Sequence, residues 1–502
     1  MTEPTLSAVE KVAALERVLN SEMFRGAPQS RAFLAYVVTE TLAGRGDRLS
    51  ERTVGRRALD RPHDFDGRFD ASVRVRGTRV RKALDAYYAS HDDPVRIRLE
   101  PGQYAPVFER AAWQSTPHVD ASMAIAVLED AEKGLIGALS DELARTLGTF
   151  PDLRVVGPVP FDRDWDALAA RLGVRFILRA ALGTVGGKSV VEIVLFDAVS
   201  EATIWSAREL LDPEGQPGWD VARSAIGVAG QIGDYTGVIL TRSRQSSRRQ
   251  QADEWRALQA YHDLFATGGR RAVLDAADEL AAAVRGGYRS PVILARLAHC
   301  LAANVAYENS DDIDADLREA SSLARQALAA DPDSATAHLA LSTVALVKGP
   351  QQATIEHAVR AAELAPHHPS ILNTAGTLMA LAGDWDRGIA AVRDALLINP
   401  NLPGYMRYMS ALDHLFAADD ALALAEAALI STPTEEWGPY LRALALMGLG
   451  YRERAEAEMA IALRIDPTLF DNLDRPVSSW THLTSAQLAV ITERLRMFLP
   501  AM

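Results

Sequence analysis

Apolar positions recur at three- and four-residue intervals along most of the chain and alternate in only a few short runs, which predicts many helices and a small sheet. Residues 1–110 are helix-patterned and end in an alternating run, Val95–Leu99. Pro101-Gly102 and a second apolar run, Tyr104–Phe108, follow, and together they read as a hairpin. A polar link, Arg110–Asp120, precedes Met123–Leu128 of strand length, Leu135–Leu147 of helical period, strand-like Leu153–Val156 and helical Trp165–Leu172. Three more strand candidates lie at Phe176–Leu182, Val190–Phe196 and Thr203–Ala207, so 121–240 reads as a small α/β domain. A basic polar segment, Thr241–Gln251, then leads into an Ala- and Leu-rich helical remainder, 253–502.

That remainder repeats. Proline falls at 332, 366, 400, 433 and 467, spacings of 34, 34, 33 and 34 that belong to paired-helix arrays. Small residues keep the same register: Ala327, Ala361, Ala395, Ala428 and Ala462 five places before each proline, and Ala320, Thr354, Gly388, Ala421 and Ala455 twelve before. Ser342, Gly376, Ser410 and Ala443 stand ten places after the first four prolines, and turns between paired helices are expected at Gly349, Gly383, Ala417 and Gly450. Small side chains at matched positions let helix backbones approach closely. These positions resemble the tetratricopeptide repeat, without its usual large aromatic early in the first helix. Residues 253–289 read as a degenerate first unit, Asn309–Asp312 as an insertion, and Thr484–Leu499 as a terminal cap.

A chain of 502 residues accommodates three or four compact units, and 48% apolar with 24% charged residues is a soluble globular profile. No apolar run approaches eighteen residues, and the first thirty lack the layout of a secretory leader, so a cytoplasmic address and no membrane are expected. The single cysteine, Cys300, excludes an internal disulfide, and its apolar setting reads as helix packing. A net charge of -13 argues against a polyphosphate partner, yet residues 1–110 carry a net of +3 and the remainder -16. Between Arg68 and Lys82 six basic residues face one acid, Asp70, which suggests a basic reader on an acidic body.

Two helices are expected in this basic region, Ser50–Leu59 and Asp70–Tyr88, with Ser50 and Asp70 as N-caps. Val73, Gly77, Val80, Leu84 and Tyr88 share one face of the second, leaving Arg74, Arg76, Thr78, Arg79 and Lys82 on the opposite arc. Such a helix fits a major groove about 12 Å wide, where Arg takes guanine O6 and N7 while its neighbours hold phosphates. With the hairpin behind it, the order describes a winged helix-turn-helix. Arg74, Arg76 and Arg79 are the base-edge candidates, since such a helix presents its amino-terminal part to the bases. Arg81, Lys82, Arg56, Arg57 and Arg98 are phosphate candidates, and Thr78 and Tyr104 complete the DNA-binding set.

Val73–Leu84 resembles the recognition helix of OmpR-type winged-helix regulators, and Pro101-Gly-Gln-Tyr104 stands at the place of their wing. Gly77 replaces the usual Ile of that pattern, a loss of packing. Residues 12–108 also resemble the amino-terminal domain of a bacterial regulator group loosely labelled adenylate cyclase-like or TolB-like, through Phe33–Gly44, Asp70–Tyr88 and Pro94–Tyr104. The middle region is similar to the TolB-like domain of that group at Ile125–Leu128, Leu139–Leu143, Leu153–Val156 and Leu172–Leu178. The loop after the first strand is shortened to Glu129–Gly134, and the membrane span of many relatives is replaced by Arg110–Asp120. No cyclase catalytic segment is present. The resemblance implies a multidomain α and α/β fold: an N-terminal winged helix-turn-helix (1–110), a central small α/β TolB-like domain (121–240) and a C-terminal all-α tetratricopeptide-repeat solenoid (253–502).

Other chemistry has little support. Gly183–Ser189 lacks the first glycine of a phosphate loop and lies between strands, so it reads as a hairpin turn. His367-His368 has no cysteine or carboxylate at ligand spacing, and no nucleophile elbow, zinc-binding His pair or Cys/His dyad occurs. No catalytic residue, metal or cofactor is expected. The reading is a transcriptional regulator whose amino-terminal domain binds double-stranded DNA, with dimerisation ordinary for this motif, and whose solenoid receives a protein partner. The alternative is an interaction scaffold whose winged-helix module does not bind DNA.

Overall fold

The computed structural model of the chain describes residues 8–59, 61–62, 70–90, 95–100, 102–110, 123–129, 134–160, 164–210, 220–246, 253–307, 309–431, 435–467, 469 and 482–498. The protein is mostly helical with a small mixed sheet. It divides into two compact units, Met1–Thr116 with Ala281–Arg289, and Pro117–Leu280 with Ser290–Met502. The α/β and repeat regions thus share one unit.

In the first unit α1 (Ala8–Asn20), α2 (Glu22–Arg25), α3 (Pro28–Leu42), α4 (Glu51–Ala58) and α5 (Ser72–Ser90) precede an antiparallel pair, β1 (Val95–Arg98) and β2 (Val107–Arg110). Phe33, Leu34, Val37 and Val38 of α3, Val54 of α4 and Val73, Val80 and Leu84 of α5 form one buried cluster with Val95 and Ile97. The α5 face continues through Tyr87, which is 2% exposed, rather than the expected Tyr88. Tyr88 instead accepts a hydrogen bond from the Ile97 N–H at 2.7 Å and ties the hairpin to α5. The second strand starts at Val107, so Tyr104 lies in the connection.

Gly77 is buried on α5, and a Cβ built there would meet Phe33 at 3.7 Å and Tyr104 at 4.0 Å, an ordinary contact. Glycine costs a helix interior about 1 kcal/mol relative to alanine. Gly77→Ala is therefore expected to stabilise the first unit by about 0.5–1 kcal/mol, read as a higher denaturant midpoint at unchanged slope.

The second unit opens with β3 (Ala124–Glu129), α6 (Leu135–Leu147), β4 (Arg154–Pro160), α7 (Trp165–Leu172), β5 (Phe176–Val185), β6 (Lys188–Asp197) and β7 (Ala202–Leu210). Strand order is β4-β3-β5-β6-β7, parallel around β3 and antiparallel beyond β5. Since β4 and β5 lie on opposite sides of β3, the right-handed rule for such crossovers puts α6 and α7 on opposite faces, and Leu168 and Ala169 of α7 pack with Ala124, Ala126 and Leu128. With both faces covered, Met123–Leu128 is buried throughout. Gly186 and Gly187, at φ 58° and 80°, close the β5–β6 hairpin, the two-residue turn that needs positive φ twice.

Helices α8 (Val221–Gly233), α9 (Val238–Ser246), α10 (Asp253–Thr267) and α11 (Gly269–Arg285) follow. The segment expected to be a polar linker is thus helical as far as Ser246, with Ser243 fully buried. Five helix pairs come next: α12 (Pro291–Ala306) with α13 (Ile313–Ala330), α14 (Ala335–Lys348) with α15 (Gln351–Leu364), α16 (Pro369–Leu381) with α17 (Trp385–Ile398), α18 (Tyr408–Phe416) with α19 (Asp420–Ala428), and α20 (Trp437–Gly448) with α21 (Arg452–Ile465). α22 (Ser485–Arg496), opened by a Thr484 capping box, buries Ile491 and Leu495 among residues of the last two pairs.

Helices α13, α15, α17 and α21 each end two residues before Pro332, Pro366, Pro400 and Pro467. The small positions make the close approach expected of them: a Cβ on Gly376 would lie 2.6 Å from the Gly388 carbonyl. One pair departs. A one-turn helix, Gly404–Arg407, precedes α18, and α19 starts 35 residues after α17, so its buried positions are Ala423 and Ala427. Ala421 and Ala428, expected inside, are exposed. No described helix is long and apolar enough to cross a membrane.

Candidate nucleic-acid interface

The basic helix is held at both ends of its buried face. Asp70, expected as the N-cap, stands one residue before the N-cap position of α5, which starts at Ser72; its carboxylate accepts the Ser72 N–H at 2.8 Å, and that hydrogen bond lowers its pKa. Ser50 caps α4 as expected, its hydroxyl accepting the Thr53 N–H at 3.2 Å while its own N–H donates to Thr53 Oγ1 at 2.8 Å. With Val73, Gly77, Val80 and Leu84 inward, Ala71, Arg74, Val75, Thr78, Arg79 and Lys82 are exposed. Their spacing of 3, 1, 3, 1 and 3 makes a single stripe along the helix.

The expected site residues divide by what they touch. Arg79 and Lys82 are exposed, and no carboxylate lies within ion-pair distance of either among the described residues. Arg74 reaches Glu51 at 3.2 Å but stays 52% exposed. Thr78 donates to the Arg74 carbonyl at 3.1 Å and accepts from Arg81 at 3.0 Å, and Arg81 also reaches the Glu100 carbonyl at 3.5 Å. Arg98 pairs with Glu100 at 3.4 Å and is 55% exposed. Arg56 and Arg57 are exposed in the last turn of α4, and the Arg57 charge acts on Glu40 and Tyr36 of α3.

Two expectations change. Arg76 is half-buried, donating to Gln29 and, at 3.3 Å, to Ser30 Oγ of α3; burial, then the Arg79 charge, lowers its pKa. It sits one helical step off the exposed stripe, so it packs helix on helix. Tyr104, expected on the wing, turns its ring inward to Phe33 at 6.2 Å between centroids, and burial raises its hydroxyl pKa. Among the described residues of the hairpin connection, Gly102 and Gln103 are exposed.

Two residues were not singled out from the sequence. Val75 is 48% exposed in the middle of the cationic stripe, where the three- and four-residue spacing could have revealed it. Arg61 adds its charge beside Arg76 and Asp70 from the connection before α5, where no periodicity marks it. Comparison with known proteins adds no identity: no family model matches the chain, and no curated protein matches it.

Proposed function

We propose that this protein is a cytoplasmic, sequence-specific DNA-binding transcriptional regulator: a winged helix-turn-helix of OmpR type reads DNA, a TolB-like domain follows, and a tetratricopeptide-repeat solenoid binds a protein partner. The observation that carries the reading is the exposed stripe of α5, where Arg79 and Lys82 stand free of carboxylates among the described residues while the opposite face is fully anchored. Arg74 and Arg79 suit guanine edges, Val75 suits a thymine methyl, and Lys82, Arg56 and Arg57 suit phosphates. The acidic remainder repels a polyanion, which leaves the basic helix as the preferred approach.

Selection of duplexes from a random library by the full chain, followed by titration across salt, tests this. Enriched sequences are expected, with log affinity falling linearly in log salt by about 0.9 for each phosphate held. Failure to retain any duplex at low salt overturns the reading and favours the scaffold.

A further inference from the structure

The first helices of the pairs are covered on more sides than an array of pairs accounts for. α12 buries every residue from Ile293 to Cys300, and α16 every residue from Pro369 to Asn373, whereas α13, α15 and α21 keep one exposed face. A helix buried all round has a second neighbour besides its partner. Here that neighbour is the chain itself. Asp234, at the end of α8, accepts the Ser370 N–H at 2.9 Å and the Ser370 hydroxyl at 2.6 Å. On α10, Tyr261 bonds His299 of α12 at 2.8 Å.

α10 does not stack as a first repeat unit, contrary to the sequence expectation. From Tyr261 against α12 it runs to Phe265, whose carbonyl accepts the Tyr405 hydroxyl at 2.9 Å ahead of α18, and the Arg270 N–H just beyond it donates to Glu435 ahead of α20 at 3.1 Å. Ser370 and Tyr405 stand four and five residues after Pro366 and Pro400, near the starts of successive units, the first held by Asp234 at the end of α8 and the second by Phe265 of α10. The crossing helix thus takes the position at which an array of this kind holds a peptide. Its 15 residues measure about 22 Å, enough to pass several helices.

The two ends of α10 are held differently. Near α12 the hold is buried: the Tyr261 ring packs on His299, and His262 meets the Asp152 carboxylate that Arg296 of α12 also binds. At the far end it consists of the Tyr405 hydroxyl, the Glu435 carboxylate, an Arg270–Glu436 ion pair at 3.8 Å, the Asn309 amide donating to the Arg270 carbonyl at 3.3 Å, and two glycines, Gly268 and Gly269, at φ 68° and 87°. Tyr405 and Glu435 occupy the space where β-carbons would stand on those glycines. The Arg270–Glu436 pair is long and its guanidinium is exposed to solvent, whereas the Arg296–Asp152 pair at the α12 end is short and buried, so this end is the weaker clasp.

Resting on the reading that the helix pairs receive a protein partner, we infer that α10 is a ligand held in cis by the first-helix face, and that the partner presents a helix with two aromatic side chains one turn apart, as Tyr261 and Phe265 are, which takes its place. Partner binding then requires the Gly268-Gly269 end of α10 to release.

The test uses the full chain and a fluorescent synthetic peptide of residues 253–268. Phe265→Asp weakens the tethered helix and leaves the receiving face intact. The wild-type chain is expected to bind the peptide at least 100-fold more weakly than Phe265→Asp, with Phe265→Leu, which keeps apolar burial but loses the ring, between the two. Equal binding by the wild type and Phe265→Asp, or none by a Phe265→Asp chain with wild-type circular dichroism, overturns the inference. Should that variant not fold, hydrogen exchange of the wild type decides: amides at the end of α10 are expected to exchange at least 100-fold faster than those of α12, and equal protection overturns the inference. A face that takes this peptide but captures no other protein removes the partner reading and leaves the cis ligand standing. A partner that binds without changing exchange in α10 does the reverse.

Discussion

Asp152→Ala is expected to destabilise the second unit by about 3–5 kcal/mol, because it strands a buried guanidinium. Arg296 of α12 is 1% exposed, and its Nη2 donates to both Asp152 oxygens at 2.6 Å, with His262 Nε2 of α10 at 3.1 Å from the same carboxylate. Burial alone would raise the Asp152 pKa, but the charges of Arg296 and His262 outweigh it and hold the carboxyl well below the usual range. Asp234 follows the same pattern: burial opposes, His368 at 2.8 Å and Ser370 prevail, and the carboxyl is held down to about 2. Both folded values lie below the unfolded one near 3.9, so this stability is whole above that pH and is lost as pH falls through the folded values. The gap between wild-type and Asp152→Ala melting temperatures should therefore be widest near neutral pH and narrow below about pH 4. A gap independent of pH would remove the ionic account. The paired change Asp152→Leu with Arg296→Met should recover most of the loss, since an apolar pair of similar volume leaves no stranded charge.

Arg79→Ala is expected to relax the DNA sequence preference by about 1–3 kcal/mol, whereas Lys82→Ala should weaken all sequences alike and reduce the salt slope by about 1. The contrast follows from position. Arg79 lies mid-stripe, exposed and with no carboxylate on its fork among the described residues, while lysine meets a phosphate as a point charge. Arg76→Ala, a base-edge candidate by helical phase alone, should change preference far less, because its guanidinium is engaged by Gln29 and Ser30. Its effect should fall on stability of the first unit. Quantitative binding to a panel of single-base variants separates the three.

What the sequence revealed followed from periodicity. Proline spacing and matched small residues located the helix pairs, because close backbone approach admits few side chains at those places. The same logic put Val73, Val80 and Leu84 inside. It failed where a single residue shifts the phase: Tyr87 replaces Tyr88 in the core, and the turn before α18 moves the buried face of α19 from Ala421 and Ala428 to Ala423 and Ala427. It could not reach pairs distant along the chain. Asp152 and Arg296 are 144 residues apart and Asp234 and Ser370 136, and no local pattern records such a meeting. His368 lacked a carboxylate in sequence and has Asp234 in space. Within the proposed DNA surface, the stripe was legible, but the inward turn of Tyr104 and the engagement of Arg76 depend on α3, whose side chains carry no mark of what they will touch.

Cys300 lies within α12 at 0% exposure, and burial pushes its thiol pKa up, which leaves it without an accessible thiolate. A cysteine introduced at Gln103 or Lys82 would then be the chain's sole reactive sulfur. Spin labels, fluorophores and photo-crosslinkers could be attached at one chosen point without first removing the native residue, so distances across this protein are open to direct spectroscopic measurement.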